Sequence, residues 1–180
     1  MKFEFQPTLR GELVILRRLR ADDWAAVYAA GSDPLIWEQH PYSDRYKEEN
    51  FREYFQGAMD SGGAFAVLDA TTGETIGCTR YHNLDEATSQ VEIGWTFLAR
   101  SRWGGAYNGE MKRLLLRHAF RFVETVVFRV GLKNFRSQRA VQKIGGIRAG
   151  NVPHELGGEV ALFRIARENF APSGAQTTAR

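Results

Sequence analysis

Gln90-Val91-Glu92-Ile93-Gly94-Trp95-Thr96-Phe97-Leu98, then Ala99-Arg100-Ser101-Arg102-Trp103-Gly104-Gly105-Ala106-Tyr107-Asn108-Gly109, then Glu110-Met111-Lys112-Arg113-Leu114-Leu115-Leu116-Arg117-His118-Ala119-Phe120-Arg121-Phe122 is the stretch that decides the fold. In its first part Val91, Ile93, Trp95 and Phe97 alternate with Glu92, Gly94 and Thr96, the period of a strand. In its last part Met111, Leu114, Leu115, His118, Ala119 and Phe122 recur at i, i+3, i+4, i+7, i+8 and i+11, which predicts a helix over Asn108–Phe122. A glycine-rich turn joins them. A helix start exposes unpaired backbone N–H groups and the positive end of the helix dipole. Gly104 and Gly105 let an anion approach that backbone closely, Arg100 and Arg102 add charge, and Lys112 and Arg113 lie within a turn of the same end. This is the physics of a pyrophosphate cradle, although neither G-x-x-x-x-G-K-[ST] nor G-x-G-x-x-G is present. A tight strand-to-helix turn without a ligand is the other reading.

Working outward, the period stays that of strands on the N-terminal side. Ala64–Asp69 and Thr75–Tyr81 flank a turn at Thr71-Thr72-Gly73-Glu74, and Leu84–Ser89 is a second turn. Before them come a strand at Leu13–Leu16, a short helix opened by Asp22-Asp23 and stopped by Gly31 and Pro34, and a loop over Leu35–Arg45. A helix carrying Phe51, Tyr54, Phe55, Ala58 and Met59 then ends at Gly62-Gly63. On the C-terminal side, Val126–Val130 reads as a buried strand. Asn134 caps a helix running to Ile144, and strands at Ile147–Glu155 and Glu159–Ala166 follow. The order β-α-α-β-β-β-α-β-α-β-β predicts an α+β domain, a mixed sheet with helices packed on it.

Composition fits one such domain. The chain has 180 residues, 43% hydrophobic and 25% charged, which excludes disordered and collagen-like classes. Apolar runs are too short for a membrane span, and Met1–Pro7 lacks a signal peptide's apolar region. The lone Cys78 allows no internal disulfide or cysteine-based zinc site, so a cytoplasmic protein is expected. Between Arg100 and Arg148 twelve Lys and Arg face only Glu110 and Glu124. That segment carries +10 in a chain of net charge +3, and the remainder carries −7. A positive block on a negative body points to a polyanionic ligand, or else to several basic solvated helix faces.

Val91-Glu92-Ile93-Gly94-Trp95, Trp103-Gly104-Gly105-Ala106-Tyr107-Asn108, His118-Ala119-Phe120, Asn134-Phe135-Arg136-Ser137 and Lys143-Ile144-Gly145-Gly146 together resemble the GCN5-related N-acetyltransferase (GNAT) family. The branch they look like is that of ribosomal-protein N-terminal acetyltransferases. The resemblance spans roughly Leu9 to Ala166. It implies a mostly antiparallel sheet with a splayed parallel pair, helices on both faces, and acetyl-CoA lying in the splay. By that resemblance the pantetheine pairs with Trp95, Thr96, Phe97 and Leu98. The pyrophosphate loop is Arg102, Trp103, Gly104, Gly105, Ala106, Tyr107 and Asn108. Asn134 lies near the pantetheine arm and Ser137 near the sulfur. Ala106 and Asn108 stand where glycine or alanine is usual. Val141 occupies the place of the tyrosine acid of many members, which leaves Ser137 as the alternative acid. The resemblance also implies a single acetyltransferase domain over residues 1–170, and the Ser/Gly/Thr-rich stretch 171–180 reads as a flexible tail.

The chemistry makes its own demands. An amine must lose a proton to attack a thioester, the departing thiolate must gain one, and the oxyanion needs backbone N–H donors. Glu92 is a carboxylate on the right strand to relay the amine proton; facing solvent or pairing with an arginine is the alternative. Ser137 is equally readable as a first-turn helix residue bonding backbone. In such a fold Trp37, His40, Tyr42 and Tyr46 would line the acceptor pocket and His82 would contact substrate. His118 reads as a satisfied core histidine and Cys78 as buried and inert; no metal-ligand spacing is present. The expected partners are an acceptor amine, either a small molecule or a protein N-terminus, with a homodimer left open. Neither membrane nor nucleic acid is expected. The competing classes are an RNA- or ribosome-binding module and a CoA-binding regulatory protein without transfer activity. The −7 remainder hints at a cationic acceptor.

Overall fold

The computed structural model of this protein describes residues 2–154 and 157–170. Its strands are β1 (Leu9–Arg10), β2 (Val14–Arg18), β3 (Ala64–Asp69), β4 (Thr75–Asp85), β5 (Gln90–Leu98), β6 (Thr125–Gly131), β7 (Ile147–Pro153) and β8 (Glu159–Ala166). They form one sheet in the order β1-β2-β3-β4-β5-β6-β8-β7. Neighbours are antiparallel except β5 and β6, which run parallel as a strand–helix–strand crossover requires. Five helices pack on the sheet: α1 (Trp24–Gly31), α2 (Pro34–Trp37), α3 (Glu48–Asp60), α4 (Tyr107–Ala119) and α5 (Phe135–Lys143).

The helices divide between the two faces. Met111, Leu115 and Leu116 of α4 and Val141 of α5 bury against Val91, Ile93, Val126, Phe128 and Phe163. On the other face Val27, Ile36, Trp37, Phe51 and Phe55 of α1–α3 cover Ala64, Ala66, Cys78 and Phe97. The mixed α+β architecture expected from the period changes is the one observed, with a splayed parallel pair and helices on both faces.

The alternation of β5 breaks midway. Cys78 pairs with Phe97 but Arg80 pairs with Gly94, so Thr79 faces two residues of β5, Trp95 and Thr96. Trp95 takes φ +47 to make room for the extra residue. Such a bulge reverses which face each later side chain meets. Val91 and Ile93 therefore share a cluster with Leu98, while Phe97 joins the opposite one with Trp95 packed against it. The expected single face of Val91, Ile93, Trp95 and Phe97 is corrected accordingly. The bulge also increases local twist, and β5 leaves β6 after three paired residues, Gln90↔Thr125 to Glu92↔Val127. The far edge of β6 stays paired with β8 along its whole length.

Other expectations shift at their boundaries. The Leu35–Arg45 loop contains α2 and a 3-10 turn over Ser43–Tyr46. Asp33 accepts the Leu35 N–H at 2.9 Å and Pro34 holds the first helical position, but four residues are too few to show a period. The strand expected over Thr75–Tyr81 continues to Asp85, and α4 ends at Ala119, short of Phe122. The two-residue β1 was not expected. β7 ends at Pro153; its expected last residue, Glu155, and the expected tail at 171–180 lie outside the described residues. No helix among the described residues is long and apolar enough to cross a membrane.

Candidate active site

The fork between β5 and β6 organises the site. Glu92 is the last β5 residue paired with β6 and is only 2% exposed. Its Oε2 receives the Arg129 guanidinium, two residues along β6 from Val127, and Asn83 Nδ2 at 3.0 Å. Glu92 is thus neither solvent-facing nor unpartnered. The sequence admitted the arginine pair as one reading, but which arginine required the parallel register. Beyond the fork, the Tyr54 hydroxyl donates to the Trp95 carbonyl at 2.7 Å and the Trp103 indole donates to the Leu98 carbonyl at 2.9 Å. These bonds rigidify the strand edge on either side of Thr96 and Phe97.

The glycine turn lies where β5 hands over to α4. Gly104 has φ +73, a conformation that favours glycine. A Cβ built on Gly104 or Gly105 would meet nothing within 4 Å, so both open onto free space. Ala106, at the N-cap, offers no side-chain cap, leaving the first N–H groups of α4 available. Arg102 points away from them: its Nη2 meets Asp69 at 3.2 Å and Glu74 at 3.6 Å, and Tyr107 donates to the same Asp69 at 3.0 Å. Its Nε is buried without a hydrogen-bond partner among the described residues. Arg100 pairs with Asp33 at 2.6 Å, and the Arg136 guanidinium lies 4.0 Å from the Trp103 ring centre. Among the described residues, Arg100, Arg102 and Arg129 of the +10 segment are tied into ion pairs. An exposed helix start with two open glycines still fits a phosphorylated ligand.

Asn134 is buried and caps α5, its Oδ1 accepting the Ser137 N–H at 3.1 Å. The cap expected from sequence is present. Ser137 is half-buried, and its hydroxyl makes no hydrogen bond among the described residues.

On the α1–α3 face a cavity of about 790 Å³ is lined by His40, Tyr42, Arg45, Tyr54, Arg80, Glu92, Trp95 and Arg129 among others. His40 and Tyr42 are wall residues as expected. Trp37 is not: it is 2% exposed, its indole bonded to the Gly31 carbonyl at 2.7 Å, and it backs the Arg45 guanidinium. An indole needs more covering than a loop edge provides, so the core takes it. His82 pairs across the strands with Glu92 and packs edge-on to Trp95 at 4.6 Å, behind the wall. Burial, with the Arg45 charge and His154 adding to it, pushes His40 down to about 3, so the imidazole is neutral. Arg45 and Arg80 were not foreseen. The signal for Arg80 was legible, a charge in the middle of the apolar run Ile76–Tyr81; Arg45 was masked by the aromatic loop around it.

Lys112 was expected near the cradle. It is instead 5% exposed under β5, its Nζ donating to Thr96 Oγ1 at 2.6 Å, which also meets Thr79 Oγ1 at 2.8 Å. Burial lowers it from the usual lysine value to about 7. His118 bonds the Glu4 carbonyl at 2.7 Å inside the core, and Cys78 is buried, its thiol pushed up by that burial. Among the described residues no group of His, Cys, Asp or Glu could hold a metal.

Residues 14–147 match the family model described as an acetyltransferase (GNAT) domain. Among solved structures, a GCN5-related N-acetyltransferase from Brucella melitensis is 19% identical, with a TM-score of 0.81 over 91% of this chain and 80% of that one. A GNAT-family acetyltransferase from Bacillus anthracis is 22% identical, TM-score 0.74, over 90% and 99%. Mycobacterium smegmatis RimJ, in complex with CoA-disulfide, is 21% identical, TM-score 0.66, over 86% and 82%. At these identities the likeness speaks for the fold. No curated protein matches the chain.

Proposed function

The chain belongs to the GNAT acetyltransferase family, and from that premise we propose that it moves the acetyl group of acetyl-CoA to a primary amine, a small molecule or a protein N-terminus, by direct attack. One observation carries the reading. The parallel strands part immediately beyond a buried carboxylate, and the strand that leaves runs straight into an open glycine turn at a helix start. Acetyl-CoA supplies an activated acyl group on a long arm ending in a pyrophosphate, and this arrangement offers a strand edge for the arm and N–H groups for the phosphates.

In this proposal Trp95, Thr96, Phe97 and Leu98 line the arm, Arg102 to Asn108 cradle the pyrophosphate, and Asn134 steadies the arm. Gly104, Gly105 and Ala106 contribute backbone, while the Arg102 side chain, drawn off by Asp69 and Glu74, acts by holding the turn. Glu92 accepts the amine proton through the oxygen turned from Arg129 and Asn83 or through water, and Ser137 returns a proton to the thiolate. His40 and Tyr42 border the acceptor. We further assign the chain to the branch of ribosomal-protein N-terminal acetyltransferases, a reading supported by the likeness to RimJ, and to the cytoplasm, where its lone thiol stays reduced.

Thiol release from acetyl-CoA over a panel of amines tests transfer. Release with at least one amine, matched by acetylated product, is the expected result; binding of CoA without turnover on any amine points instead to a regulatory protein. Gly105→Val tests the cradle. A Cβ at this position meets no protein atom within 4 Å, so the fold should keep its melting temperature. It fills the space the pyrophosphate needs, and the KM for acetyl-CoA should rise about tenfold or more. An unchanged KM removes the phosphates from this turn.

A further inference from the structure

Arg45 and Arg80 stand in the cavity wall with no role in acetyl-donor binding. Arg45 sits among three rings, with its guanidinium carbon 5.2 Å from the Trp37 centre, 4.7 Å from Tyr42 and 5.0 Å from Tyr54. Arg80, 6% exposed, lies 4.5 Å from Trp95 and 5.7 Å from the same Tyr54, with one nitrogen donating to the Gly57 carbonyl at 2.8 Å. Among the described residues neither has a carboxylate within 4.0 Å. Arg80 is buried and Arg45 half-buried, and the usual compensation for such charge without an ion pair is a bound anion.

The neighbouring histidine strengthens the case. His40 Nδ1 accepts the Tyr42 N–H at 3.0 Å, and its Nε2 stands 3.3 Å from Arg45 Nη1. A neutral imidazole has one lone-pair nitrogen. With Nδ1 accepting, Nε2 carries the proton, so two donors face each other across that 3.3 Å and both lack an acceptor there. An anionic oxygen beside the pair, within hydrogen-bond reach of each nitrogen, would satisfy both.

Among the described residues no carboxylate lining the cavity pairs with either guanidinium, and Glu92 acts on Arg80 only from a distance. Glu92 is held by Arg129, Asp44 is paired with Lys47 at 2.8 Å, and Glu53 is exposed at the rim. The aromatic rings that would otherwise attract a cationic acceptor already hold Arg45 and Arg80. The −7 remainder of the chain hinted at a cationic acceptor; the charges in the cavity wall argue for an anionic group instead.

We propose that Arg45 and Arg80, with His40 beside them, form a carboxylate-binding subsite, and that the acceptor is an amine bearing a carboxylate, its amine directed toward Glu92. Planar guanidinium forks match carboxylate geometry, and the ring stacks pre-set their orientation, which limits the entropy lost on binding. The inference rests on the acyl-transfer reading for its account of the amine, but the anion subsite is measurable without turnover.

Matched acceptors test it. One arm pairs free amino acids with their carboxamides; the other pairs tetrapeptides carrying Asp or Glu after the first residue with the same peptides carrying Asn or Gln. The arm that shows the preference identifies whether a small molecule or an acidic protein N-terminus is the source. In it kcat/KM for the carboxylate member should exceed that of its amide by about tenfold or more. Arg45→Gln and Arg80→Gln should each abolish that ratio while changing the KM for acetyl-CoA less than about twofold. Should Arg45→Gln fold poorly, Arg45→Lys keeps the charge and loses the fork, and an intermediate ratio is expected. Calorimetry with succinate, which has no amine, reads the subsite alone. Succinate binding lost in Arg80→Gln supports the subsite even if no amine is acetylated. Acetylation of amides as fast as acids, or a wild-type protein that does not bind succinate, overturns the inference and leaves acetyl transfer standing.

Discussion

Glu92→Gln lowers kcat by about 100-fold or more, the usual scale for loss of a general base, and leaves acetyl-CoA binding nearly unchanged. Glutamine has the volume of glutamate, so the buried site at the fork stays filled. Its carbonyl oxygen can still accept from Arg129 and Asn83, the two donors that meet Oε2 now. Arg129 is more than a third exposed, so solvent moderates the loss of its counter-charge. What disappears is the capacity to take a proton from the attacking amine. Raising the pH should partly rescue the variant, because more acceptor is then already neutral. Ser137→Ala should behave differently and hurt most where the acceptor is already deprotonated, since its proposed task lies at the thiolate. Steady-state kinetics against pH decides between them. A Glu92→Gln enzyme with wild-type turnover and an unshifted profile would falsify the base assignment, and proximity with backbone donors would then carry the reaction.

Lys112→Met raises stability, and raises it most in mild acid. Burial holds the folded-state value of Lys112 near 7, against 10.5 for an ordinary lysine. Between these values the unfolded chain holds a proton that the folded protein lacks, so this residue makes stability increase with pH across the window. Below pH 7 the amine is charged in both states and the full penalty of burying the ammonium applies. Methionine has a similar length and no charge, and Thr96 keeps Thr79 and the Gly94 carbonyl as partners at 2.8 and 3.2 Å. The gain at pH 6 should be on the order of 3 kcal/mol, roughly 6–12 °C in melting temperature for a chain this size. It should shrink steadily as the pH approaches 10. Calorimetric scans at pH 6 and pH 9.5 measure it. A variant that melts lower at pH 6, or one whose advantage does not change with pH, would show that Lys112 is stabilised where it lies by contacts stronger than its single bond to Thr96.

The strand, glycine turn and helix over residues 90–119 were legible because each is a local pattern. Alternation over Gln90–Leu98, two adjacent glycines and an apolar stripe from Met111 onward are read within a dozen residues. Asn134 announced its cap for the same reason: the acceptor and the N–H it satisfies are three residues apart. The face of Trp95 was not legible. One extra residue in β5 opposite Thr79 inverts the pattern, and a bulge is a property of two strands in register.

The cavity on the α1–α3 face lies further from what the sequence alone determines. Arg45 comes from the 3-10 turn before α3, Arg80 from β4, Glu92 from β5 and Arg129 from β6. Counting charges along the chain placed a negative body beside a positive block and implied a cationic partner. Folding converts that count into something else, because most of the acids find a lysine, an arginine or solvent while Arg45 and Arg80 are carried inward on aromatic rings. Composition and period by themselves determined the fold class, and the family likeness rests on short motifs such as those at residues 103–108 and 134–137, since both are patterns that neighbouring residues complete. The charge of the cavity on the α1–α3 face and the pairing of Glu92 with Arg129 were decided only by tertiary structure. Electrostatic interaction depends on distance and burial, and the register of the sheet sets both.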